Sequence, residues 1–141
     1  MSYTTTDKLT DILKNASNYN EFLDSAHISQ KGISLTEYFD YLFDQRQCKK
    51  ADVIRNALID PYYAYQILRG EKNASRDKLI QIALAFPLTV KETQLLLYLG
   101  GHQKLYIKNK RDSVFLFALE KNLTMEQISE LLSESDQAPL I

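Results

Sequence analysis

Three side chains of one predicted helix, residues 61–69, have the chemistry to recognise a nucleic acid. Gln66 carries an amide that can pair with adenine through two hydrogen bonds, and Arg69 carries a guanidinium suited to guanine or phosphate. Tyr62 offers a hydroxyl suited to phosphate and a ring that can pack on a sugar or a thymine methyl. These side chains would recognise a nucleic acid by direct contact, which requires a helix that presents all three on the same face.

The opposite side of the same helix is apolar. At about 100° per residue, Ala64, Ile67 and Leu68 form one stripe that faces away from the polar set. The small Ala64 lets a neighbouring helix approach closely. A helical wheel cannot bury Tyr62, Tyr63 and Tyr65 together with this stripe, so the tyrosines either form a contact surface or partly join the core.

Basic and hydroxyl side chains flank this helix where phosphate contacts would fall. They are Lys49 and Lys50 before it, and Lys72, Ser75 and Arg76 after it. Contacts of this kind release counterions and make binding sensitive to salt. Arg69 has alternative partners in Glu71 and in an acidic flank of the chain.

The charge of the chain is unevenly spread. The whole chain has a net charge of -1, but residues 45–111 hold 13 basic and 5 acidic residues, a net of +8 between acidic flanks. This pattern indicates a basic surface for a polyanion. The alternative is that the opposite blocks neutralise one another within the fold. For the basic loop 102–111, the two partners weighed are DNA flanks and the acidic segment 125–136.

The composition favours a helical, cytoplasmic protein. Gly and Pro total only 7 of 141 residues, too few for the many turns of sandwiches and barrels. No apolar run approaches the roughly 20 residues that span a bilayer, and the N-terminus is polar, so we expect no membrane partner.

The sequence lacks the patterns of an enzyme or a metalloprotein. His27 and His102 are far apart and have no ligand partner at metal spacing. Cys48 is the single cysteine, and no His lies near it in sequence to activate it. We therefore expect no catalytic residue, no metal and no cofactor.

Capping residues and apolar spacing divide the chain into short helices. Ser34 with Glu37, Thr89 with Glu92, and Thr124 with Gln127 have the spacing of capping boxes. The predicted helices are 7–14, 20–28, 34–46, 50–58, 61–69, 76–86, one from the Thr89 cap to Gly100, 112–121 and 125–133, with a frayed tail over 134–141. We expect an N-terminal helical lead (1–33), a helix-turn-helix core (34–101) and a C-terminal helical extension packed on the core (102–141).

The stretch 49–86 resembles the lambda-repressor-like helix-turn-helix family of bacterial and phage transcriptional regulators. The likeness is carried by the helix KADVIRNAL, the step Ile59-Asp60, the pair Ala64 and Ile67, Arg69-Gly70, the cap Ser75 and the stripe Leu79, Ile82 and Ala83. The stretches YAYQILRGEKNASRDKLIQIA, ETQLLLYLGG and LYIKNKRD extend the likeness to a larger bacterial subtype over residues 7–133.

This resemblance implies an all-α, compact multi-helix bundle with a lambda-repressor-like core. It also implies that DNA is faced by Lys50, Pro61, Tyr62, Tyr63 and Gln66. The chain departs from the family at Leu58-Ile59, where Gly is frequent, and at residues 61–63, where Ser, Thr, Gln or Arg are frequent.

We therefore expect a sequence-specific regulator that binds double-stranded DNA, as a homodimer supported by residues 112–133. Paired half-sites would compensate for the few contacts of one short helix. The alternative is a protein-binding adaptor with the same fold, because tyrosine is enriched in protein interfaces.

Overall fold

The computed structural model describes residues 32–141, and this part of the chain is all-helical and without a strand. Its helices are α1 (Leu35–Arg46), α2 (Lys50–Ala57), α3 (Pro61–Leu68), α4 (Arg76–Ala85), α5 (Val90–Leu99), α6 (Lys110–Lys121) and α7 (Met125–Glu134). The predicted helices 7–14 and 20–28 lie outside the described residues. The all-α prediction is thus confirmed for residues 32–141, and the helix bounds agree within a residue or two.

Side chains satisfy the first amides of most of these helices. The three predicted capping boxes are present, at Ser34 for α1, Thr89 for α5 and Thr124 for α7. α6 begins at Lys110, two residues earlier than predicted, because the Asn109 side chain accepts a hydrogen bond from the amide of Asp112. Asn109 is not among the predicted capping residues.

α4 lies at the centre of the described fold and packs against α2, α5 and α6. All seven of its residues from Leu79 to Ala85 are buried. A helix that is apolar nearly all round is typical of a core helix with neighbours on several sides. α1 completes the core by burying Tyr38, Phe39 and Leu42, so the helices that hold α3 are themselves well anchored.

The C-terminal helices pack on this core, and so does the tail. α6 contacts α4 and α5, and α7 contacts α6. Arg111 donates hydrogen bonds to the carbonyls of Ala138 and Pro139, and Leu140 is only 7% exposed. The prediction of a frayed tail over 134–141 is wrong, because an arginine and a buried leucine fix it.

Among the described residues, no helix is both long and apolar enough to cross a membrane.

Candidate nucleic-acid interface

The start of α3 is set by residues that suit a helix N-terminus. Asp60 is the N-cap, and its carboxylate accepts a hydrogen bond from the amide of Tyr63 at 3.0 Å. Pro61 is the first helical residue, where its missing N–H is not needed. Ile59, immediately before the cap, is buried. The chain therefore enters α3 from a fixed point in the core.

The turn between α2 and α3 contains a left-handed residue. Leu58 is the C-cap of α2, with φ 60° and ψ 37°, and its amide donates to the carbonyl of Arg55. Glycine adopts this conformation most easily, because it has no Cβ. This turn contains no glycine, and Leu58 adopts the left-handed conformation instead.

α3 presents one face to the core and one to solvent. Ala64, Ile67 and Leu68 are buried, as the helical wheel predicts. Tyr62 is 72% exposed on the outside, and Gln66 is half-buried. No acidic residue lies within α3. The helix is therefore braced by its inner stripe and open on its outer face.

The three tyrosines do not share one environment. Tyr63 and Tyr65 are half-buried and pack against the core, and the Tyr63 hydroxyl donates to the carbonyl of Asn73 at 3.4 Å. Tyr62 projects into solvent. Tyr63 and Tyr65 therefore partly join the core, whereas Tyr62 lies on the accessible surface.

The end of α3 is fixed by a glycine and an ion pair. Gly70 has φ +81°, and a Cβ at this position would lie 2.6 Å from Oγ1 of Thr36. Arg69, the C-cap, pairs with Glu71 at 2.7 Å on the surface, and this hydrogen bond holds the pKa of the Glu71 carboxyl below its usual range. Of the predicted alternative partners of Arg69, Glu71 is therefore the one present.

All five arginines of the sequence are held in ion pairs with carboxylates in the described fold. These pairs are Arg46–Glu92, Arg55–Asp52, Arg69–Glu71, Arg76–Asp112 and Arg111–Asp77. No lysine of residues 32–141 makes an ion pair, so lysines carry the unpaired positive charge of this part of the chain.

The predicted phosphate-contacting residues fall into two groups. Lys49, Lys50 and Lys72 are exposed at the two ends of the α2–α3 unit. By contrast, Arg76 donates to the Asp112 carboxylate and to the carbonyls of Gln103 and Lys104. Its guanidinium therefore stabilises the loop before α6, a role that the sequence does not predict. Ser75 is the N-cap of α4, and its hydroxyl accepts from the amide of Lys78.

The basic loop before α6 does not pair with the acidic C-terminal segment. Arg111 bonds to Asp77 of α4 through two contacts of 2.9 and 3.0 Å, so the alternative in which segment 125–136 neutralises it is wrong. Lys104, Lys108 and Lys110 are exposed, with the Lys104 ammonium 5.8 Å from the ring centre of Tyr98.

The residues weighed for metal or nucleophilic chemistry have ordinary surroundings. Nε2 of His102 lies 2.8 Å from the carbonyl oxygen of Ala74. Cys48 is a free, half-buried thiol. Within residues 32–141, no three His, Cys, Asp or Glu side chains gather as a metal site would require. His27 lies outside the described residues.

Two buried polar residues have structural roles that the sequence does not predict. Gln81 and Asp112 are both buried, and each bonds to a group distant in sequence. A polar residue within an apolar stripe, such as Gln81 between Ile80 and Ile82, was the available signal.

No protein-family model matches the chain, and neither a curated protein nor a solved structure matches it.

Proposed function

We propose that this chain is a sequence-specific, DNA-binding transcriptional regulator of the lambda-repressor-like type, with α3 as its recognition helix. The observation that carries the proposal is the two-sided character of α3. Its inner stripe is buried, while Tyr62 and Gln66 are accessible and no carboxylate lies on the helix. A helix that enters the major groove needs such a braced but open face.

The charges around α3 support the same function. Lys49 and Lys50 open α2, Lys72 follows α3, and all three are exposed without an ion pair in the described structure. Two of the nearby acids are neutralised, since Asp52 pairs with Arg55 and Glu71 with Arg69, while the exposed Asp60 accepts a hydrogen bond from the amide of Tyr63 as the N-cap of α3. Phosphates on either side of the groove would therefore meet lysines whose charge is not neutralised.

Gln66 is the proposed base-reading residue, and Lys50 a phosphate-contacting one. The test is selection of bound duplexes from a random pool, followed by affinity measurements on the selected sequence. Gln66→Ala is expected to reduce the preference at one base pair by about 1–3 kcal/mol. Lys50→Ala is expected to weaken all sequences alike. Failure to enrich any sequence would contradict the specific-regulator function.

We further propose that the regulator acts as a homodimer. A single eight-residue helix offers few contacts, and two copies on half-sites about 34 Å apart would double them. Phe117 of α6 is half-exposed in the C-terminal extension that we expect to support the dimer. Light scattering with and without duplex DNA tests this, and a monomer under both conditions at high concentration would contradict it.

The exposed ring of Tyr62 favours a second candidate, a protein-binding adaptor that uses the same face. Affinity capture distinguishes the two functions. An adaptor would retain a protein partner after nuclease treatment and lose it in Tyr62→Ala. Recovery that depends on DNA would exclude the adaptor and support the regulator.

A further inference from the structure

The side chain of Gln81 connects α4 to the end of α2. Its Nε2 donates a hydrogen bond of 2.9 Å to the carbonyl oxygen of Ala57, across 24 positions of sequence. Ala57 is the last residue of α2, where carbonyls lack partners within the helix. Because a carbonyl only accepts hydrogen bonds, the nitrogen of the Gln81 amide must face it.

The other half of the same amide is unsatisfied. Gln81 is fully buried, and its Oε1 has no hydrogen-bond partner in the described structure. A buried acceptor without a partner costs stability, and an apolar side chain of similar size would avoid that cost. Packing alone therefore does not explain a glutamine at this position, whereas its hydrogen bond to the Ala57 carbonyl does.

We propose that Gln81 is a positioning residue that fixes the turn between α2 and α3. Its hydrogen bond holds the carbonyl that directly precedes the left-handed Leu58, and the cap of α3 follows two residues later. The amide therefore ties the entry of α3 to α4, the central helix of the fold. The effect on the turn rests on these contacts, and its consequence for DNA rests on the proposed function.

The variant Gln81→Met tests the proposal, because it keeps the side-chain volume and removes both polar atoms. We expect the global free energy of unfolding to change little, because the variant removes the orphaned oxygen but also leaves the buried Ala57 carbonyl without its donor. Exchange of the amides of Leu58, Tyr63 and Ala64, measured by NMR, is expected to become about three- to tenfold faster. This split between local and global stability would not arise from a residue that only fills space.

Thr93→Val is the matched control. Thr93 is also fully buried, but its hydroxyl donates to the carbonyl of Thr89 within the same region of the chain, at 2.8 Å. We expect this variant to leave amide exchange in the turn unchanged. Equal exchange in the wild type and in Gln81→Met would overturn the proposal.

Gln81→Glu provides an independent test through pH. A protonated carboxyl group can donate to the Ala57 carbonyl, whereas a carboxylate cannot. Below the pKa of this glutamate, amide protection in the turn is expected to exceed that of Gln81→Met at the same pH. Above it, this advantage is expected to vanish. Protection that does not depend on pH, relative to Gln81→Met, would count against the hydrogen bond as the cause.

The DNA experiment separates this inference from the proposed function. If the regulator function holds, Gln81→Met lowers duplex affinity about three- to tenfold with an unchanged salt slope, because no charge is lost. Wild-type protein without DNA affinity would contradict the regulator alone, and the exchange measurements would still decide the role of Gln81. Unchanged DNA affinity together with unchanged exchange would overturn the positioning role.

Discussion

The guanidinium of Arg76 and the carboxylate of Asp112 form a two-pronged ion pair, with both N–O distances at 2.9 Å. Arg76 opens α4, and Asp112 lies in the first turn of α6. The amide of Tyr106 also donates to this carboxylate, at 2.9 Å. The pair thus joins the basic centre of the chain, residues 45–111, to the acidic flank that follows it, residues 112–141, and holds α6 against α4.

Loss of the arginine from this pair is expected to destabilise the protein. Arg76→Ala would leave the Asp112 carboxylate buried without its cation, and we expect the free energy of unfolding to fall by about 3 kcal/mol. Chemical denaturation measures this change. The control is Arg55→Ala, which breaks an exposed pair with Asp52 and is expected to cost less than about 1 kcal/mol. Equal small losses in both variants would contradict the structural importance of the pair.

The same carboxylate gives a pH dependence. Burial raises the pKa of Asp112, but the hydrogen bonds from Arg76 and from the Tyr106 amide outweigh it and hold the pKa below its usual value. The pKa of Asp112 is therefore lower in the folded than in the unfolded protein. The stabilisation contributed by its carboxylate is complete above the unfolded pKa of about 3.9 and is lost as pH falls through the folded pKa. The stability difference between wild type and Asp112→Asn is therefore expected to shrink on acidification. A difference that stays constant from neutral pH to about pH 2 would contradict this account.

Leu58, the left-handed residue in the turn, allows the stability of a glycine variant to be compared with that of an alanine variant. Both Leu58→Gly and Leu58→Ala remove the half-exposed leucine side chain, but only alanine keeps a Cβ at φ 60°. We expect the glycine variant to be more stable by about 1 kcal/mol, because the left-handed conformation costs alanine more than glycine loses in chain entropy. Thermal unfolding of the two variants measures the difference, and a more stable alanine variant would refute the backbone interpretation.

Because the tail packs on the fold, alanine substitutions of its last two residues are expected to change stability by different amounts. Leu140→Ala is expected to lower the free energy of unfolding by about 2 kcal/mol, because Leu140 is 7% exposed. Ile141→Ala, at a side chain that is 55% exposed, is expected to change it by less than about 0.5 kcal/mol. Similar small effects in both would indicate that the tail contributes nothing to stability.

Local signals in the sequence predicted most of the helices. Capping residues such as Ser34 and Thr124 act on amides three residues away, and an apolar stripe such as that of α3 depends only on helical spacing. These signals need no knowledge of distant residues. The helix bounds and the inward face of α3 could therefore be predicted, as could the pairing of Arg69 with Glu71 as one alternative.

Long-range pairing could not be predicted in this way. Arg76 meets Asp112 across 36 positions, and Arg111 meets Asp77 across 34. A sequence gives the charges but not which of them the fold brings together. For this reason the sequence predicts neither the pairing of Arg76 with Asp112 nor the contacts by which Arg111 holds the tail.

Duplex affinity as a function of salt tests the central claim most directly. If Lys49, Lys50 and Lys72 each neutralise one phosphate, the plot of log affinity against log salt has a slope of about -3 per protomer. Lys50→Ala is expected to reduce the steepness by about 1, while Lys121→Ala, at an exposed lysine in the last turn of α6, leaves it unchanged. No duplex binding at the lowest salt, or binding that does not respond to salt, would contradict the account.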